Sequence, residues 1–515
     1  MRETSIHRPL ISLSPLPWFH LGLVAIWIIA LCLRFWGLSQ FNTLVFDEVY
    51  FAKFAQDYLS GNELFDGHPP VGKYAIALGM WISDRIPIDP SFPSNDLTGI
   101  LRSTFSYRWF NAFTGSFIPL VVAAIAYRLY PRRSYALLAA GLMTLDGLFL
   151  VESRYGLINI YLVLFGLLAH YFALLGLRSR HSSKTAIAFI LSGISFGLCA
   201  AVKWNGLGFW LGWMAMVCVA RLRQKLQHNV ERQLSNLWWD SIPKLSIWKI
   251  GMYWIILPYT IYAIAWIPHL QLNPDYNFWE NQQQLLNYHQ SVGGGSDTHP
   301  YCSSWFGWPL LIRPIAYYYH ATNNRQLIFD VHAFGNPLLW WSASFAIAIL
   351  FAIVCLSKEL PISQQFSLLC GRFRSPKPPL EKGAVEVPLS KACSELAEAG
   401  DLGGSFGLHL TTVPSALSSL ILYLTINYAA NWLPWSLVSR CTFLYHYMSA
   451  LIFSILALAF ILDRWLASAN IYCKIVAISS VTIFAIAFIF WLPIYLGLPL
   501  TLQEFHWRMW FNHWI

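Results

Sequence analysis

Leu16-Pro17-Trp18-Phe19-His20-Leu21-Gly22-Leu23-Val24-Ala25-Ile26-Trp27-Ile28-Ile29-Ala30-Leu31-Cys32-Leu33-Arg34-Phe35-Trp36-Gly37-Leu38 is apolar for long enough to cross a bilayer, and Phe46-Asp47-Glu48-Val49-Tyr50 follows it by roughly ten residues. The first stretch decides the fold. In lipid every backbone N–H and C=O must be satisfied within the segment, so such a run becomes a helix. The second stretch decides where chemistry is sought, because two carboxylates just outside the lipid lie where a membrane-borne substrate presents its polar head.

The whole chain agrees with that opening. Of its 515 residues 56% are hydrophobic and 11% charged, with a mean hydropathy of +0.48, whereas a soluble domain carries about 25% charged residues. The 25 Trp and 17% aromatics supply belts at the lipid–water boundary. A net charge of +9 does not indicate nucleic acid, because the Lys and Arg are scattered between apolar spans instead of gathered on one soluble face. Cys32, Cys199, Cys218, Cys355 and Cys473 lie in or beside apolar spans, so the cysteines read as small buried hydrophobes with no disulfide framework and no metal spacing. No small-residue cleavage pattern follows Leu16–Leu38, which therefore reads as a retained first span.

About eleven spans are expected, near 16–38, 108–130, 134–151, 155–177, 185–202, 204–220, 250–268, 337–356, 411–432, 442–462 and 473–497. With the N-terminus inside, roughly two thirds of all Lys and Arg fall on one face, including Arg128, Arg132, Arg133, Arg178, Arg221 and Arg223. That face is cytoplasmic by the positive-inside rule, and Asp47-Glu48 is on the outer face. The fold class is thus an all-α integral membrane protein with two long outer loops, about 41–107 and 269–336, that fold and face each other. Residues 357–410 read as a mobile cytoplasmic linker between a catalytic module, 1–356, and a C-terminal module, 411–515. In the first loop Tyr50, Phe51, Phe54, Ala55, Tyr58 and Leu59 share one side of a helix, opposite Lys53, Gln56 and Asp57. Val71–Ile82 is too short to span, so it lies flat or re-enters.

The acids could merely stabilise the positive end of that helix. Alternatively, one is a general base that deprotonates an acceptor hydroxyl. Successive helix residues point about 100° apart, so both cannot aim at one atom. His68-Pro69-Pro70-Val71-Gly72-Lys73 opens the next helix and lines the same pocket. Arg108, Arg154 and Lys203, at the outer mouths of three spans, suit an anionic lipid head. Glu152 and Asn159 share the turn with Arg154. His299, Tyr301, Ser303 and Trp305 combine hydrogen-bonding groups with rigid aromatics, and Tyr445 and His446 open the tenth span; both sets are acceptor-site or sugar-site candidates. No Ser-His-Asp order, P-loop or HExxH occurs, and no metal is expected.

Several segments together resemble the protein O-mannosyltransferases, GT-C membrane glycosyltransferases that use a polyprenyl-phosphate mannose donor. The matching pieces are FDEVYFAKF, HPPVGK, YRWFNAFTG, SRYGLIN, KWNGL, HPYCSSWFGWPLLIRP, GNPLLWW and FLYHYMSAL, in that order along the chain. The resemblance implies a GT-C fold and Asp47 as catalytic base, with Glu48 shaping the acceptor site and Arg108 holding the donor phosphate. It implies Ser/Thr-containing protein acceptors, no cofactor, and a bacterial-type member in the plasma membrane, since the second loop is too short for the beta-trefoil of eukaryotic relatives. Asn159 departs from the family, which usually has Asp there. The runner-up is a GT-C transferase of the aminoarabinose type, and a more distant reading is a transporter, disfavoured by the lack of an inverted repeat. The sugar, the acceptor and whether the chain dimerises stay open.

Overall fold

Apolar runs become helices, and the computed structural model, which describes residues 18–87, 89, 91–226, 238–293, 299–322, 326–356 and 415–515, is a helical bundle. The linker expected over 357–410 lies outside the described residues. After α1 (Trp18–Phe35) come two shorter helices, α2 (Glu48–Ser60) and α3 (Val71–Ser83), and an antiparallel hairpin of β1 (Ser94–Leu97) and β2 (Ile100–Ser103). Next are α4 (Thr104–Ser116), α5 (Ile118–Leu129), α6 (Arg133–Thr144), α7 (Gly147–Glu152), α8 (Asn159–Arg178), α9 (Ser182–Val202) and α10 (Leu207–Leu226). α11 (Ile247–Leu272) includes a π-helical turn over Met252–Ile256. It leads to α12 (Phe278–Ser291), the hairpin of β3 (Ile315–Ala321) and β4 (Ile328–Ala333), and α13 (Pro337–Leu356). The chain closes with α14 (Ser415–Trp432), α15 (Met448–Leu466), α16 (Ile471–Leu496) and α17 (Leu502–Arg508).

All eleven expected spans contain helix, but 8 stretches are long and apolar enough to cross a membrane: α1, α4 with α5, α8, α9, α11, α13, α15 with its preceding turn, and α16. The others fall short for visible reasons. The expected span at 134–151 breaks between α6 and α7, where Asp146 caps the Phe149 N–H at 2.9 Å. α10 ends in Arg221, Arg223 and Lys225, and α14 carries Asn427 and Asn431. Among the described residues eight spans are supported by length and composition, and the count of eleven is not confirmed.

α15 is the axis of the bundle. It is buried from Met448 to Asp463 and packs against α6, α13, α14 and α16. At one end Asp463 accepts from Arg132 Nε at 2.6 Å and from Ser134. At the other, the 3-10 turn Leu444–Tyr447 presents Tyr445 to Asp47 of the loop 41–107, while His446 packs on Trp435.

That loop is folded by its polar residues as much as its apolar ones. In α2 Gln56 and Asp57 are buried while Tyr50 is 58% exposed, which reverses part of the expected apolar face. The reason is local: Gln56 accepts from Arg102 Nε of β2 at 2.7 Å, Asp57 accepts from Asn62 at 3.1 Å, and Gly61, at φ +76°, closes the helix on the Asp57 carbonyl. α3 packs on α2 and α4, and a Cβ on its Gly72 would sit 2.6 Å from Ile158, so the close approach requires glycine. The loops 41–107 and 269–336 meet: Tyr58 Oη lies 2.7 Å from His269 Nδ1, and Leu64 N–H donates to Asn273 at 2.8 Å.

One disulfide corrects the cysteine reading. Cys302 is bonded to Cys441 across 139 residues of sequence, and beside it Ser303 N–H donates to the Thr442 carbonyl at 2.8 Å while Thr442 Oγ1 donates back to Ser303 at 2.7 Å. Spacing carried no sign of it, because the partners come together only when the bundle closes.

Candidate active site

The site begins with a strained residue. Phe46 has φ +45°, a conformation that costs a bulky side chain about 1–3 kcal/mol and persists only where its surroundings impose it. Four rings do so. Tyr317 stacks on Phe46 at 5.2 Å, and His299, Phe443 and Tyr445 meet it edge-on at 5.7, 5.2 and 6.1 Å. The turn then sends the next two carboxylates in different directions.

Asp47 faces the mouth. It is half-buried, and Tyr445 Oη donates to its Oδ2 at 3.1 Å. Loss of water pushes its carboxyl above the ordinary carboxylate range, while the Lys203 charge and the Tyr445 hydrogen bond pull it back. Glu48 faces the interior and is fully buried. Arg108 grips it bidentately, Nε to Oε1 at 2.9 Å and Nη2 to Oε2 at 2.7 Å, and the N–H groups of Gly156 and Val45 complete its shell at 2.8 and 3.1 Å.

This geometry alters the expected donor set. The remaining Arg108 donors go to the carbonyls of Phe41 and Thr43 at 2.7 and 3.0 Å, which leaves no fork for a phosphate. Arg154 is likewise occupied, giving Nη1 to the carbonyls of Leu33, Arg34 and Trp36 at 3.0, 3.1 and 2.6 Å. These are orphan acceptors at the end of α1, so Arg154 caps a helix. Lys73 pairs with Asp66 at 2.5 Å and donates to the His68 carbonyl at 2.7 Å, fixing the HPP turn.

Lys203 is different. Its side chain is buried, its ammonium lies 4.9 Å from the Tyr445 ring centroid, and among the described residues it makes no hydrogen bond. Burial lowers its pKa to about 8, against the pull of Asp47 and with the push of Arg440. Arg440, which the sequence reading did not single out, is half-buried beside the disulfide and donates to the Cys441 carbonyl at 3.1 Å; its charge is felt by Asp47, Lys203, His68 and His289. His68 and His289 lie 5.4 Å apart, ring to ring. Burial holds both imidazoles neutral, that of His289 down to about 4, and each keeps a buried Nδ1 without a partner.

Of the acceptor candidates, Tyr445 touches Asp47 and His299 lies against Phe46, its Nδ1 accepting from Tyr301 N–H at 3.2 Å. The Tyr301 ring turns to Arg313, 5.3 Å from its centroid. Ser303 is engaged with Thr442, and Trp305 packs on Trp432 at 5.0 Å. His446 sits 4.4 Å from Trp435 and uses Nδ1 on the Phe443 backbone, with Nε2 buried and unpartnered. Among the described residues no group of three or more His, Cys, Asp or Glu could hold a metal ion.

A second acid, Glu152, lies close to Asp47 without touching it. It is fully buried, accepts from Tyr317 Oη and from Asn159 Nδ2 at 3.0 Å, and burial raises its pKa to about 7. Sequence reading set it in a turn between two spans without revealing its partners.

The family described as dolichyl-phosphate-mannose-protein mannosyltransferase matches residues 24–273. The C-terminal four-span region of protein O-mannosyltransferases matches 275–369 and 408–514. The polyprenol-phosphate-mannose–protein mannosyltransferase of Mycolicibacterium smegmatis is 23% identical over 359 residues, 59% of this chain and 65% of that protein. This chain's match thus covers just under two thirds of that relative's length. The Mycobacterium tuberculosis protein of the same name is 23% identical over 390 residues, 63% of this chain and 69% of the relative. Among solved structures, the Saccharomyces cerevisiae protein O-mannosyltransferase Pmt1-Pmt2 complex bound to the sugar donor aligns with a TM-score of 0.72 at 16% identity, covering 98% of this chain and 93% of that one. That likeness shows a shared fold.

Proposed function

Because the chain belongs to the protein O-mannosyltransferase family, we propose that it transfers mannose from a polyprenyl-phosphate-mannose donor to Ser or Thr hydroxyls of protein acceptors. The observation that carries this reading is the contrast at the acid pair: Asp47 is the member left accessible, hydrogen-bonded only by Tyr445 at 3.1 Å, opposite a buried ammonium with no hydrogen bond of its own among the described residues.

In this reading the acceptor hydroxyl gives its proton to Asp47 as its oxygen attacks the anomeric carbon, and the bond from that carbon to the phosphate oxygen breaks on the opposite face. The lipid phosphate leaves with the electron pair, and Lys203 and Arg440 offset its charge. His68 and His289 offer neutral imidazoles to the phosphate or sugar. His299 and Tyr445 flank the acceptor. Glu48 and Arg108 hold the loop, a change from the acceptor-shaping and donor-binding roles that the resemblance implied. With two cations at the phosphate no divalent metal is needed, and turnover in EDTA tests that.

The proposed setting is the plasma membrane, N-terminus inside and Asp47 outside. The basic ends of the spans support this, as does the Cys302–Cys441 disulfide beside the site, since disulfides persist outside the reducing cytosol. The proposed division into 1–356 and 411–515 describes connectivity more than separate bodies, because α15 is buried in the common bundle.

The deciding experiment incubates purified protein with radiolabelled polyprenyl-phosphate mannose and a Ser/Thr-rich peptide. The expected product is O-linked mannose with the anomeric configuration opposite to the donor's. A retained configuration, a trapped glycosyl-enzyme or no transfer overturns the proposal.

A further inference from the structure

We infer that Glu152 is a positioning residue for the acid at 47, acting through Tyr317 and Phe46, and that Asn159 is its dedicated amide partner. The chain of contacts is continuous. One carboxylate oxygen of Glu152 receives the Tyr317 hydroxyl and the other the Asn159 amide at 3.0 Å. The Tyr317 ring, so anchored, lies nearly parallel to Phe46, 14° off and 5.2 Å away. Phe46 is the left-handed residue whose backbone aims Asp47. Of the four rings around Phe46, Tyr317 is the one that stacks face to face, and its hydroxyl is tied to a carboxylate that forms no ion pair among the described residues.

An acid buried without a countercharge destabilises a protein unless its hydrogen bonds do something the fold needs. Here they set the register of a strained turn. Beyond those two bonds, Glu152 faces Asp47, Lys203 and Tyr445, so its negative charge also favours the protonated form of Lys203. The pairing also accounts for position 159, the place where the sequence departs from the family's pattern: an amide there donates to the acid at 152, and exchanging the two residues would keep one acid, one amide and the bond between them.

The inference rests on the proposed transferase reading only for its kinetic readout. Tyr317→Phe, Glu152→Gln and the exchange Glu152→Gln with Asn159→Asp are purified in detergent, and three quantities are measured: hydrogen exchange of amides 44–50 by mass spectrometry, thermal midpoint, and kcat and donor KM with polyprenyl-phosphate mannose. Expected are about tenfold faster exchange over 44–50 and about tenfold lower kcat at unchanged donor KM in both single variants, with recovery to within about threefold in the exchanged pair. Unchanged exchange over 44–50 in Tyr317→Phe, which loses a single oxygen and keeps the ring, overturns the inference. So does an exchanged pair as impaired as Glu152→Gln alone. A fall in thermal midpoint with kcat intact also overturns it, since a purely structural group would do that. If wild-type protein transfers no mannose, the proposed function fails by itself and the exchange measurement still judges this inference.

Discussion

Two carboxylates adjacent in sequence occupy opposite kinds of site. Glu48 has every oxygen lone pair answered, by Arg108, Gly156 and Val45, in a place without water. Among the described residues the Asp47 carboxylate has one partner, and it has a raised pKa and a cation nearby that it does not touch. A satisfied buried group is scaffold. An under-satisfied one beside unpaired donors is poised for a ligand, and the same test separates Arg108, whose donors are spent on the protein, from Lys203, His68 and His289; Arg154 lies between them, its two Nη groups spent on carbonyls and its Nε buried without a partner.

The comparison breaks first at Asp47. Asp47→Asn keeps shape and removes the proton acceptor, so turnover should fall by about 10²–10⁴-fold, the usual contribution of a general base, while donor binding and thermal midpoint stay near wild type. Normal turnover in that variant would move the catalytic centre elsewhere.

Glu48→Gln should do the reverse. Removing one partner of a buried pair leaves the other charge unanswered and costs about 3–5 kcal/mol, so the loss should appear as a lower unfolding midpoint and lower yield. A Glu48→Gln protein of wild-type stability that is inactive would exchange the roles of the two acids.

The disulfide sharpens the contrast on the far wall. It ties the His299–Trp305 segment to the stretch of chain bearing Arg440, and a disulfide is typically worth about 2–4 kcal/mol. Cys302→Ser should lower the midpoint by a few degrees and turnover by several-fold, through a loosened Arg440. Full activity in the variant would place Arg440 outside the phosphate site.

These assignments mark the limit of what the residues alone could say. Helical spans follow from apolar length, and the importance of the acid pair from its place outside the first span. Helix periodicity said that the two acids must diverge, but not which would face the pocket, because the left-handed turn at Phe46 is imposed by rings from distant segments, Tyr317 and Phe443 among them. Arg108 and Arg154 looked like phosphate ligands since a cation at a span mouth reads the same whether it meets a headgroup or a backbone carbonyl. Arg440 and the Cys302–Cys441 bond were silent for one reason: their meaning comes from a contact across 139 residues. Buried Gln56 and Asp57 broke the expected face of α2 because their partners, Arg102 and Asn62, lie outside the helix.

The smallest expected effect is the most diagnostic for the mouth. In the proposed mechanism turnover requires Asp47 ionised, so the rate should rise with pH through the Asp47 pKa, which sits above the ordinary carboxylate range. The same mechanism requires Lys203 protonated, so the rate should fall as pH rises through about 8. Lys203→Arg keeps the charge on a group that holds its proton beyond pH 12 or so. At pH 7 the variant should work within about threefold of wild type, since the charge is retained and only the shape of the donor differs. Its alkaline limb, however, should vanish from the accessible pH range, while the acid limb stays in place because Asp47 still faces a cation. A pH series of kcat/KM on the two proteins decides the matter. If the alkaline limb stays where it was, the ammonium at 203 is not the group that meets the leaving phosphate, and Arg440 alone carries that charge.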